Sequence, residues 1–156
     1  MAVLNYNDAG SCFNKIILEN ELSKILNNVV DFLYKTFDKY NWVGIYIVRG
    51  DTLVLGPWKG KQATEHIHIP IGSGVCGSAA KSGKTELVHD VNKDDRYLAC
   101  FVSTRSEIVV PIKRKGMVIG EIDIDSDIPN AFNKKDANFL EKIAINKKFI
   151  DCIDKW

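Results

Sequence analysis

The chain has 156 residues and a formal net charge of +1, from 21 Lys and Arg against 20 Asp and Glu. That length predicts one domain over residues 1–156, with enough chain for a real core. Near-neutral charge argues against a dedicated nucleic-acid or anionic-membrane binder, either of which carries a basic excess. No apolar run reaches the roughly 18 residues that span a bilayer. The first residues, Met-Ala-Val-Leu-Asn-Tyr, lack the basic-then-apolar layout of a secretion signal, so a cytoplasmic location is expected.

In chain order, residues 19–38 place Leu22, Ile25, Leu26, Val29, Val30, Leu33 and Phe37 at helical spacing. Two β-rich runs then flank Gly50-Asp51 and read as a hairpin. His66 to Ile71 alternates as a short strand and leads into Gly72-Ser73-Gly74-Val75-Cys76-Gly77, with a short helix predicted from Ser78 to Lys81. Residues 86–91 suggest another strand, followed by a polar loop from Asn92 to Arg96. Two further strands turn at Lys115-Gly116, and a final helix starts at Asn133 with Phe139, Leu140, Ile143 and Ala144 on one face. This order suits an α+β fold: an antiparallel sheet with N- and C-terminal helices packed on one face.

Four cysteines stand at positions 12, 76, 100 and 152, with no CxxC pair. In a reducing compartment such cysteines are packed, catalytic or redox groups more often than structural bridges. Cys76 sits in a glycine-rich turn that opens a helix, where free amides and the helix dipole can lower a thiol pKa or hold a carboxylate. The alternative is a small thiol packed beside glycines. The glycine-rich stretch matches neither a phosphate-binding nor a dinucleotide-binding loop. Cys100, in Tyr-Leu-Ala-Cys-Phe, reads by itself as either core or catalyst. Cys12 and Cys152 lie in terminal segments, as packed or surface thiols.

Alternation along Glu121-Ile122-Asp123-Ile124-Asp125 puts three acids on one strand face and two isoleucines on the other. Such a face is solvated by default; the functional alternative is a carboxylate pair that receives a cationic amine. Glu107 joins it if the strands pair around Lys115-Gly116. Trp42 and Tyr46 share a face with Gly44 between them, and either floor a small pocket or pack in the core. His66, His68 and His89, with Cys76 and Cys100, raise a zinc-binding regulatory reading, but no spacing matches an established site, and no metal is expected.

Taken together, several stretches resemble the GAF-fold free methionine-(R)-sulfoxide reductases. They are Asn41-Trp42-Val43-Gly44-Ile45-Tyr46, Thr52 to Trp58 with Gly60-Lys61, Ile71 to Gly77, Cys100, Ser106 to Pro111, and Ile119 to Ser126. The resemblance covers roughly residues 20–147. It implies a single GAF domain that reduces free methionine sulfoxide without a bound cofactor, using thioredoxin or another dithiol as reductant, and it allows a homodimer. By the same resemblance Cys100 attacks the sulfoxide sulfur and Cys76 resolves the product. Glu107, Asp123 and Asp125 hold the amine and polarise the S=O group, Glu107 being the candidate proton donor. Trp42 and Tyr46 wall the methyl end. Many relatives carry a further cysteine after the Gly-Lys pair, whereas Gln62 to His68 contains none. Cys76 is thus the one motif-matched resolving partner. The competing expectation is a non-catalytic GAF module that senses a small molecule.

Overall fold

A computed structural model describes residues 4–99 and 101–156. Two helices come first: α1 (Tyr6–Glu19) and α2 (Leu22–Thr36). The hairpin of β1 (Trp42–Arg49) and β2 (Thr52–Gly60) follows, then β3 (His68–Pro70), α3 (Gly74–Ser82) and β4 (Glu86–Val88). A second hairpin, β5 (Ser106–Arg114) and β6 (Met117–Ser126), leads to α4 (Lys134–Ala144) and α5 (Lys147–Cys152). The strands form one sheet in the order β3-β2-β1-β6-β5-β4, with every neighbouring pair antiparallel. Among the described residues no helix is long and apolar enough to cross a membrane.

Period-two alternation splits the core into two layers. On one face Val43, Ile45 and Ile47 of β1 and Ile122 and Ile124 of β6 pack with Leu33 of α2, Ile143 of α4 and Phe149 of α5. This is the face expected to carry the terminal helices. On the other, Trp42 and Tyr46 of β1 and Val109 of β5 meet Val75, Cys76, Ala79 and Ala80 of α3. The single helix α3 therefore covers the face that bears the acids.

Breaks in regularity fall where the backbone tolerates them. The β1–β2 register shifts between Gly44 and Tyr46, where Gly44 opposes Trp58 and Tyr46 opposes Leu55. The extra residue on β2 makes a bulge that takes in Gly56-Pro57, a position that admits a proline in a strand. Pro111 of β5 lies past the end of β4, which pairs only with residues 107–109, so its missing N–H faces no lost ladder bond there.

Two helices extend beyond the sequence expectation. The first, α1, buries only Ala9, Phe13 and Ile17 and carries Gly10 and Asn14 between them, so its periodicity is thin. It is anchored by Asn5, whose side chain accepts from the Asn7 and Asp8 amides, and by Tyr6, whose hydroxyl donates to Asp136 Oδ1 at 2.8 Å. The second, α5, has six residues, too few to show a period. By contrast α4 begins as predicted, with Asn133 and Asp136 forming a reciprocal capping box.

Candidate active site

The register of the central strands builds the site row by row. Trp42 of β1, Asp125 of β6 and Glu107 of β5 stand side by side. The next row on that face is Gly44, Asp123 and Val109, and the third is Tyr46, Glu121 and Pro111. Four carboxylates thus share one sheet face, with Glu107 directly opposite Asp125, an arrangement that costs stability when both are charged.

The default expectation of a solvated acidic face is overturned. Glu107, Glu121, Asp123 and Asp125 are all buried, at 0–5% exposure, under α3. Both oxygens of Glu121 and one oxygen each of Glu107, Asp123 and Asp125 have no hydrogen-bond partner within the protein. Burial therefore drives every one of these acids toward its neutral form. Burial, then the charges of Asp123 and Asp125, push Glu107 well up. Burial and Asp123 do the same to Glu121, and burial, Asp123 and Asp127 to Asp125. Asp123 rises to about 6, burial being the main cause, while Glu107 and Cys76 hold it back.

Cys76 is the roof of this cluster. The helix α3 starts at Gly74 rather than Ser78, so Cys76 lies inside its first turn. A Cβ on Gly77 would stand 2.6 Å from the Pro70 carbonyl oxygen, so glycine there lets α3 settle against β3. The Cys76 thiol is buried and donates to Glu107 Oε1 at 3.7 Å. The expected lowering of its pKa by the helix terminus does not hold: burial, followed by the charges of Asp123, Glu121, Glu107 and Asp125, raises it well above the ordinary thiol value. Burial outweighs the half charge of the helix dipole.

Beside the cluster a cavity of about 290 Å³ opens to solvent, lined by residues that include Trp42, Phe101, Asp125, Asn41, Thr104 and Lys61. The size is at the small end for ligand pockets. The Trp42 ring packs 6.0 Å from Phe101 and is stacked on Trp58 at 6.2 Å. Gly44 and Gly60 lie against the two ends of its indole, where any added Cβ would collide with the ring. The indole Nε1 is buried without a partner in the protein.

The structure brings Trp42, Glu107, Asp123, Asp125 and Cys76 together. Tyr46 is on the same face but behind the cavity wall, and its hydroxyl donates to the His66 carbonyl at 2.7 Å, fixing the segment after β2. Cys100 lies outside the described residues; its neighbour Phe101 lines the cavity. Among the described residues the histidines join no cluster of potential metal ligands; the one cluster whose ligand atoms lie within 4.8 Å of one another is Cys76, Glu107 and Asp123. Sequence reasoning gave no role to Glu121, although its place in the alternating run was the signal. It also passed over Asn41 and Thr104, whose approach to the cavity depends on loops that no period announces.

The chain matches the GAF domain family over residues 21–146. It is 37% identical over 140 residues to the free methionine-R-sulfoxide reductase of Escherichia coli strain K12, covering 89% of this chain and 84% of that one. The chain belongs to the free methionine-R-sulfoxide reductases. The structure of the Neisseria meningitidis reductase in complex with its substrate superposes with a TM-score of 0.86 at 34% identity, over 96% of this chain and 88% of that chain. The reduced form of the Staphylococcus aureus protein gives 0.82 at 36% identity, over 97% and 94%. Membership in this reductase family makes the protein an oxidoreductase and accounts for a buried thiol set among acids, a combination that packing alone disfavours.

Proposed function

We propose that the protein reduces the free R-sulfoxide of methionine to methionine, with electrons from thioredoxin or a similar dithiol. The observation that carries this reading is the buried, unpaired acid cluster beside the Cys76 thiol. A free amino acid brings an ammonium group, the charge complement of Asp123 and Asp125. A peptide-bound sulfoxide offers a neutral amide in its place. The Trp42 and Phe101 rings offer an apolar wall to the methylthio end.

The Cys100 thiolate attacks the sulfoxide sulfur. A proton from a neutral acid of the cluster, assigned to Glu107, reaches the oxygen as its bond to the methionine sulfur breaks. The protonated oxygen passes from the methionine sulfur to Cys100 Sγ as the transient sulfur–sulfur bond breaks, so methionine leaves reduced and Cys100 is left as a sulfenic acid. Cys76 then attacks that sulfur. Its proton passes to Glu107 Oε1, which already accepts the S–H, water departs and a disulfide closes. Thioredoxin reopens the disulfide by thiol exchange and becomes oxidised in turn. An unperturbed thiol is only about 3% ionised at neutral pH. The raised pKa of Cys76 lowers that fraction further, so resolution needs this neighbouring base.

A thioredoxin-coupled NADPH assay on free R-sulfoxide, free S-sulfoxide and a peptide-bound R-sulfoxide tests the reading. Turnover of the free R form alone is expected. Silence on all three would leave a GAF sensory module.

A further inference from the structure

We infer that the reduced, substrate-free site also takes one zinc ion, held by Cys76 Sγ and an oxygen each of Glu107 and Asp123, and that zinc and substrate exclude one another. The potential ligand atoms of these three buried residues all lie within 4.8 Å of one another. Tetrahedral zinc with bonds of about 2.0–2.3 Å needs ligand separations of roughly 3.3–3.8 Å. The Cys76–Glu107 distance of 3.7 Å already meets that requirement, and side-chain shifts of about an ångström close the rest.

A second observation points to a cation. Glu121 is fully buried, and both of its oxygens lack a partner in the protein; it stands beside Asp123 on β6 and close enough to Cys76 to act on its charge. A cation held by the three ligands would draw this carboxyl toward its charged form. The donor set of one sulfur and two carboxylate oxygens suits a borderline-soft ion. Magnesium and calcium call for six or more oxygens, which a site roofed by a thiol does not provide. Zinc changes no oxidation state, so both thiols stay reduced while it is bound. Coordination removes the Cys76 proton and occupies the carboxylates that would meet the substrate ammonium. The site itself rests on the geometry; its competition with sulfoxide rests on the function proposed above.

Calorimetric titration of the reduced, chelator-stripped full-length protein with zinc chloride tests the inference. One equivalent per chain is expected. Cys76→Ser and Glu107→Gln should each weaken binding about tenfold or more, and Cys12→Ser should leave it unchanged. Cobalt chloride provides a readout that needs no variant of the ligands: a thiolate-to-cobalt absorption band in the wild type, retained in Cys100→Ser. In Cys100→Ser, which cannot turn over, free methionine R-sulfoxide should raise the apparent zinc dissociation constant. Absence of zinc binding, full affinity in a folded Cys76→Ser, or a cobalt band that disappears with Cys100 would overturn the site. Zinc binding that sulfoxide leaves untouched overturns the exclusion. A protein that binds zinc as described but shows no turnover refutes only the reductase reading.

Discussion

At the scale of single residues the site depends on a few side chains with conflicting demands. Cys76 must be buried to meet Glu107, yet burial keeps its thiol protonated. The proposed division of labour between the two cysteines separates cleanly in kinetics. Cys100→Ser should abolish methionine formation even in a single turnover. Cys76→Ser should release about one methionine per chain and then stop with thioredoxin; rapid-quench measurement of methionine distinguishes the two. Continued turnover in Cys76→Ser would move the resolving role to Cys12 or Cys152. Gly44 is a further test, because it gives the Trp42 ring its space. Gly44→Ala should displace the indole, destabilise the fold by about 1–3 kcal/mol and raise KM for sulfoxide. An unchanged KM would show that the ring does not shape the substrate pocket.

At the scale of elements, the attachment of α1 and α4 to the sheet runs through one buried carboxylate. Asp136 Oδ1 accepts from the Tyr6 and Tyr40 hydroxyls at 2.8 Å, and Oδ2 accepts from Lys39 Nζ at 2.7 Å and the Asn133 amide at 2.9 Å. Burial pushes the Asp136 pKa up, but the Lys39 contact, the Asn133 amide and the two tyrosines overcome it and hold it below the usual carboxylate value. Asp136→Ala leaves Lys39 and two hydroxyls without their acceptor, and should cost about 3–5 kcal/mol in urea unfolding. Amide exchange should also accelerate along α1 before the sheet is affected. Loss of less than about 1 kcal/mol would mean that α1 is held by its apolar face and the Lys148 contact to the Ile17 carbonyl.

At the scale of the whole molecule, two groups of acids give stability opposite dependences on pH. The depressed pKa of Asp136 contributes stability that is present above its unfolded value and lost as pH falls. The raised acids of the site act in the other sense: folding favours their neutral forms, an advantage that is whole below the unfolded pKa and lost as pH climbs. For Asp123 that window runs from 3.8 to about 6; for Glu107, Glu121 and Asp125 it extends further up. The melting temperature of the reduced, ligand-free protein should therefore fall as pH climbs from 3.8 through about 6 and beyond, and Glu121→Gln should flatten that fall. A saturating cationic ligand should oppose it, by about 2.7 kcal/mol at a hundred times its dissociation constant. A parallel decline in wild type and Glu121→Gln would show that folding leaves the Glu121 pKa unchanged. Much of the molecule was legible in the chain. Period-two runs determined the hairpins and the shared face of Glu121, Asp123 and Asp125, the 3.6 period determined α2 and α4, and the ordered motifs pointed to the reductases. Burial was not legible, because an alternating strand specifies two faces without saying which one meets water. Only α3, folding back over β5 and β6, decided that the acidic face would be dry, that Cys76 would be held protonated against Glu107, and that Tyr46 would support the pocket rather than line it.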